Sequence, residues 1–219
     1  MKLYISDLHF YHDKLNTDLD KRGFADARQM NDCMIKSWND KVKGGDYVYV
    51  LGDMFATKEA DEVNRVLNRL SGKICLIQGN HDVMWLKKEG VNLNRFEWIK
   101  DYAEIKETKN RIVIASHYPV FCYNHQYLKD TDGREKTFML YGHVHNSHDE
   151  ILVNAFQSLT RRTILKGSEG DRNIPCNMIN VFCMFSNYAP LSLDEWIKKD
   201  EERRKGIKVP DGFEIKDEL

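Results

Sequence analysis

Residues 73–82 read Lys73-Ile74-Cys75-Leu76-Ile77-Gln78-Gly79-Asn80-His81-Asp82, a short apolar run that stops at a glycine and passes into three residues able to ligate a metal or move a proton. The same unit recurs along the chain. Lys2–Ser6 leads to Asp7-Leu8-His9, and Tyr47–Leu51 leads to Gly52-Asp53. Arg111–Ala115 leads to Ser116-His117, and Thr137–Tyr141 to Gly142-His143-Val144-His145. Each run has the length of a strand, is rich in β-branched or aromatic residues and shows little polar alternation. That is the pattern of strands covered on both faces.

Between the runs the apolar spacing turns helical. Met30, Met34, Trp38 and Val42 recur at every fourth residue, while Val63, Val66, Leu67 and Leu70 follow the i, i+3, i+4, i+7 spacing of one helix face. Leu152, Ala155, Phe156 and Leu159 repeat that spacing, with Ser147 and Glu150 forming a capping box in front. A last helix starts near Ser192, with Glu195 three residues on and Pro190 just before. Strands alternating with helices predict an α/β fold around a largely parallel sheet. Trp98–Glu107 and Met178–Met184 are candidate strands of different pairing. No internal repeat or Pro/Gly/Ser linker divides the chain, so 1–219 reads as a single domain.

Composition narrows the classes further. The chain has 33 Lys and Arg against 34 Asp and Glu, a net charge of −1, and 42 % hydrophobic residues. Such a chain is neither disordered nor low in complexity, and its charge argues against a dedicated polyanion binder. The mixed charges of Lys198–Lys205 read as a solvated helix face. Five cysteines, an odd number without a C-x-x-C pair, indicate a reduced cytoplasmic setting. Met1–His9 meets Asp7 too early for a signal peptide. The uncharged stretch Asn173–Leu193 holds four asparagines and two prolines, so no membrane span is expected. The final Lys216-Asp217-Glu218-Leu219 spells the retention address of the endoplasmic reticulum, read here as a chance match.

In a parallel sheet, ligands bind beyond the carboxyl ends of the strands, so the five clusters converge at one edge. Gly52, Gly79 and Gly142 let the chain turn sharply there. The converging groups are Asp7, His9, Asp53, Asn80, His117, His143 and His145. Taken singly, each is an ordinary core or turn residue, and Asn80 suits a Gly-Asn turn. As a set they are too many for one tetrahedral zinc and suit two metal ions that share a carboxylate. With no cysteine among them, the donors favour Mn, Fe, Zn, Ni or Co. His12 reads equally as a substrate contact or a solvated turn residue. For Tyr118, Tyr123, Asn124 and His125, in the long segment after His117, loop packing is favoured over substrate contact at Tyr118.

The ordered set D-x-H, G-D, G-N-H-D, H and G-H-x-H, spread from Ser6 to His145, resembles the calcineurin-like metallophosphoesterase superfamily. It is most similar to the short bacterial and phage members, and continues more weakly through Asn180-Val181 and Pro190 to Trp196. The resemblance implies a four-layer α/β/β/α sandwich and a dinuclear site. Asp7, His9 and His145 would hold one metal and Asn80, His117 and His143 the other, with Asp53 and a water or hydroxide bridging them. It also implies that His81 assists the leaving group as a general acid, with Asp82 orienting its ring and favouring the charged form.

The implied activity is metal-dependent hydrolysis of a small phosphomonoester or phosphodiester. A nuclease is less favoured because no basic stripe is visible. A non-catalytic scaffold is disfavoured because every ligand position and His81 are filled. Two features depart from the pattern. Phe182 stands where members often have glycine after Asn-Val, and 146–175 is long, reading as a lid or partner segment. The oligomeric state is not legible.

Overall fold

In the computed structural model, which describes residues 1–168 and 170–205, all five apolar runs are strands. β1 (Lys2–Ile5), β2 (Tyr47–Leu51), β3 (Lys73–Ile77) and β4 (Phe96–Lys100) form one sheet in the order β1-β2-β3-β4, parallel throughout. β5 (Tyr102–Thr108), β6 (Arg111–Ser116) and β7 (Thr137–Tyr141) follow. A small hairpin of β8 (Ile164–Leu165) and β9 (Arg172–Asn173) then precedes β10 (Met178–Asn180). The second sheet has the order β10-β7-β6-β5, with only β5 antiparallel. The candidate strand at Trp98–Glu107 is thus two strands, divided at exposed Asp101, and each half joins a different sheet.

The helices are α1 (Ala27–Lys41), α2 (Ala60–Leu67), α3 (Asp82–Leu86), α4 (His148–Arg162) and α5 (Leu193–Lys205). Three apolar cores define how they stack. Met30, Met34 and Trp38 of α1 and Val63, Val66 and Leu67 of α2 cover Leu3, Ile5, Val48, Val50, Ile74 and Leu76 of the first sheet. Because side chains alternate along a strand, Tyr4, Tyr49, Leu51, Cys75 and Ile77 point the other way. They meet Ala103, Ile105, Val113, Ala115 and Leu140 of the second sheet. On that sheet's far face, Ile114, Met139, Tyr141 and Met178 are covered by Val153 and Phe156 of α4. The result is the four-layer α/β/β/α sandwich. No helix among the described residues is long and apolar enough to cross a membrane, and all five cysteines are free.

α4 forms where its spacing predicts but presents another face. Leu152 and Leu159 are 41 % and 52 % exposed, whereas Glu150, Val153, Asn154 and Gln157 are buried. The sheet below offers polar groups that need partners. Glu150 Oε2 accepts from the Tyr141 hydroxyl at 2.8 Å and from Asn180 Nδ2 at 3.1 Å, and its Oε1 accepts from Asn154 Nδ2 at 3.1 Å. Leaving such groups unpaired costs about 1–3 kcal/mol each, enough to outweigh a pair of solvated leucines. Glu150 is therefore not the capping-box partner of Ser147, whose hydroxyl caps Asp149 N alone.

The capping box of α5 does form. Ser192 N donates to Glu195 Oε2 at 2.9 Å, and Glu195 N donates to Ser192 Oγ at 3.4 Å. Its charge run is not wholly solvated, however. Asp200 is buried, Arg203 Nη2 donates to Glu150 Oε1 at 2.6 Å, and Arg204 Nη2 donates to the Met178 carbonyl at 2.9 Å. These bonds tie α5 to α4 and β10. Within 146–175, α4 is the fourth layer, and only its leading residues approach the candidate site. Lys216-Asp217-Glu218-Leu219 lies outside the described residues.

Candidate metal centre

The two sheets meet where their strands end. Ser6 N donates to the Val181 carbonyl at 2.9 Å and Cys183 N donates to the Ser6 carbonyl at 3.1 Å, joining the end of β1 to the chain after β10. That stitch brings Asp7 and His9 against His143 and His145, across 136 positions of sequence. Asp7, His9 and His145 form one group whose ligand atoms lie within 4.8 Å of one another, and Asp53, His117 and His143 form a second. Asp53 Oδ2 stands between them, 3.6 Å from His9 Nε2 and 3.4 Å from His117 Nε2. Asn80 Oδ1 lies 3.1 Å from His117 Nε2. All seven expected ligands are thus brought together.

Backbone conformation makes this crowding possible. Asp7, His9, Asp53, His143 and His145 all have positive φ, between 49° and 70°. The left-handed region costs an L-residue about 1–2 kcal/mol, and such strain gathers at functional sites. Gly52 has φ 88°, and a Cβ there would fall 2.2 Å from His117 Nδ1. A Cβ on Gly142 would fall 2.5 Å from Asp7 Oδ2.

Hydrogen bonds fix which imidazole nitrogens face inward. His117 Nδ1 donates to the Leu51 carbonyl at 2.9 Å, and His145 Nδ1 donates to Asp20 Oδ1 at 2.8 Å. Their Nε2 atoms therefore offer lone pairs to the centre, as metal-ligating histidines do. There they confront other electron-rich atoms. His145 Nε2 is 3.2 Å from His9 Nε2 and 3.6 Å from Asp7 Oδ1. His9 Nδ1 is buried without a partner.

Electrostatics tells the same story. Burial pushes every imidazole here down, and at His9 and His143 it prevails with help from neighbouring cationic groups. At His117, Asp53 and Asp7 overcome burial and lift the group to about 9, and at His145, Asp20 and Asp7 do the same. Burial also raises the Asp7 carboxyl, but His145 outweighs it and holds the group below the usual range. The buried carboxylates thus favour positive charge between them. The donor set fits a pair of divalent cations, which would supply that charge.

Over five of the seven groups, His9, Asp53, Asn80, His143 and His145, opens a cavity of ≈ 640 Å³, bordered by His81, His12 and the start of α4 at Asn146, Ser147 and Asp149. His81 is exposed, with its ring centroid 5.1 Å from that of His9 and its backbone N donating to Asp53 Oδ1 at 2.8 Å. Asp82 does not orient that ring. Its buried carboxylate instead accepts from the backbone N of Asp53, Met54 and Gly79 and from Trp85 Nε1, at 2.8–2.9 Å. Facing away from the cavity, it pins the two ligand loops together. Burial raises its carboxyl above the usual range.

His12 accepts from Leu15 N through Nδ1 at 3.2 Å and faces the cavity. Tyr118 instead packs edge-on against His117 and His143, with centroids at 5.0 and 4.6 Å. Tyr123 is buried and its hydroxyl accepts from Asn177 N at 3.0 Å, while Asn124 Nδ2 donates to Glu104 at 2.8 Å, so that loop packs as expected. Phe182 fills the position of the expected glycine by stacking on His145, with centroids 4.7 Å apart.

Two residues of the site gave no sequence signal. Asp20 orients His145, and Arg22 Nη2 donates to Asp20 Oδ2 at 2.9 Å and to the Asp7 carbonyl at 3.0 Å. Arg22 Nη1 donates to the Leu8 carbonyl at 2.7 Å. This buried guanidinium braces the strained turn that carries Asp7 and His9. Both residues sit in an irregular loop without periodicity or motif, so a single sequence offers nothing to find them by.

Fold and site together define a class. The calcineurin-like phosphoesterase family model matches residues 3–209, and the chain belongs to that family. It is 29 % identical over 204 residues to an uncharacterized protein of Methanocaldococcus jannaschii, with 92 % of each chain covered. A solved structure, a protein of unknown function from Aquifex aeolicus, shares the fold with a TM-score of 0.60 at 23 % identity, covering 90 % of this chain and 98 % of that one.

Proposed function

We propose that the protein is a metal-dependent phosphohydrolase that cleaves a phosphomonoester or phosphodiester. The observation that carries this reading is the meeting of seven oxygen and nitrogen ligands in two groups beneath an exposed imidazole, His81, at the border of a cavity. Asp7, His9 and His145 would hold one divalent cation and Asn80, His117 and His143 the other, with Asp53 facing both groups. Two such ions (Mn, Fe, Zn, Ni or Co), if bound there, would supply charge to neutralise phosphoryl oxygens and to lower the pKa of a water.

The chain's own residues do the rest. Leu51 and Asp20 hold His117 and His145 in the ligating tautomer. The His81 backbone is fixed by Asp53, which leaves its imidazole free over the cavity to give a proton to the departing alkoxide. His12 lies across from it, 6.4 Å between centroids, where it can bind the ester's polar atoms.

The test is a panel of mono-, di- and cyclic phosphoesters given to manganese-supplemented protein, run with elemental analysis. Metal-dependent turnover of at least one ester class is expected. Protein that holds two ions per chain yet hydrolyses no activated phosphoester would leave the non-catalytic scaffold as the better account.

A further inference from the structure

The cavity over the candidate centre has a floor of imidazoles and carboxylates but an apolar wall. Leu15 and Leu19 come from the π-helical turn Leu15–Leu19, and Phe182, Met184 and Phe185 from the segment after β10. Phe182 stacks on His145 and meets Phe185 edge-on at 5.3 Å, so the wall rises directly from the ligands. Leu19 carries it outward to solvent, 70 % exposed. The lining also includes Asp149 at the start of α4.

No lysine or arginine among the described residues lines this cavity. The guanidinium of Arg22 is buried beneath it and is already bonded to Asp20, Asp7 and Leu8. A phosphoryl group seated at the floor would therefore have its charge met there, while whatever it is attached to runs along the wall. An alkyl or aryl body gains by leaving water against leucine and phenylalanine. A second phosphate or a carboxylate in the same place loses hydration near Asp149 with no cation to replace it.

We infer that this site, resting on the phosphoester reading, selects esters with a single phosphoryl group on an uncharged, apolar body. It discriminates against nucleoside polyphosphates and nucleic-acid strands.

The test uses the full chain loaded with manganese and four non-hydrolysable probes, followed by titration calorimetry. Butylphosphonate and phosphonobutanoate share a chain length and differ in ending on a methyl or a carboxylate; phenylphosphonate and methylphosphonate complete the set. Butyl- and phenylphosphonate should bind about tenfold or more tightly than phosphonobutanoate, with methylphosphonate between them. Leu19→Lys, a change at an exposed position, should narrow or reverse the butyl-to-carboxylate ratio. In turnover, the wall should act on KM more than on kcat, and phenyl phosphate should surpass adenosine triphosphate in kcat/KM.

Equal affinity for butylphosphonate and phosphonobutanoate, with esters still hydrolysed, would overturn the inference and leave the phosphoester reading intact. An unchanged ratio in Leu19→Lys would overturn the wall as its cause. If protein holding two manganese ions per chain binds no phosphonate and hydrolyses no ester, both readings fail.

Discussion

Asp20 Oδ1 accepts a hydrogen bond from His145 Nδ1 at 2.8 Å, across 125 positions of sequence. The same carboxylate accepts from Arg22 Nε and Nη2 at 3.0 and 2.9 Å. A carboxylate bonded to the outer nitrogen of a ligating imidazole fixes its tautomer and raises its basicity.

Removing that partner should weaken metal binding without touching a ligand. Asp20→Ala is expected to lower manganese affinity about 10- to 100-fold, measured by competition with a chelator. Unchanged affinity would show that His145 Nδ1 finds another acceptor.

Metal binding and proton donation should separate by mutation. Asp53→Asn should lose metal and turnover together, because it weakens an oxygen that faces both ligand groups. His81→Asn should keep its metal content but lose about 100-fold in kcat on alkyl phosphates, and less on nitrophenyl phosphate, whose leaving group needs no proton. Equal losses on both substrates would remove His81 from the acid role.

Asp82 should behave as a structural clamp. Asp82→Ala strips four buried donors of their acceptor. A loss of at least about 4 kcal/mol in unfolding free energy is expected, about 1 kcal/mol or more for each donor left unpaired, read as a fall in Tm. In the milder Asp82→Asn, kcat should fall no more on alkyl phosphates than on nitrophenyl phosphate, because the carboxylate does not touch the His81 ring. A loss confined to alkyl phosphates would restore Asp82 to an orienting role.

The metal-free protein should be sensitive to alkali. His117 and His145 are raised to about 9 in the folded chain, against about 6.5 when unfolded. The folded state thus holds these protons more tightly. Their contribution to stability is complete below about pH 6.5 and is lost as pH rises toward 9. Melting curves in chelator from pH 6 to 10 should show Tm falling across that window. Manganese affinity should rise over the same range, since each cation must displace those protons. A flat Tm would mean that the two imidazoles are neutral in the folded, metal-free chain.

Much of the architecture follows from local pattern. The α1 stripe Met30, Met34, Trp38 and the α2 stripe Val63, Val66, Leu67 are buried as their spacing requires, because their surroundings are simply apolar. Along α4 the same rule holds for Phe156, which packs on the core, but fails for Leu152 and Leu159, which stay exposed. Glu150 and Gln157 are drawn inward by Tyr141, Asn180, Met178 and Arg203, partners that belong to other elements. Asp82 is a similar case. The family resemblance implied that it orients His81, but the backbone amides of Gly79, Asp53 and Met54 hold its carboxylate in the interior.

By itself the sequence determined the five strands that lead to the candidate site, the turn that ends each of them and the seven candidate ligands, since all of these are written within a few consecutive residues. Only the tertiary structure decided that Asp20 and Arg22 brace the centre, that Phe182 covers His145 and that an apolar wall rises beside it. Those relationships join atoms far apart along the chain. They come into being only when two sheets close on each other, and a periodicity that reports a residue's own neighbours carries no record of them.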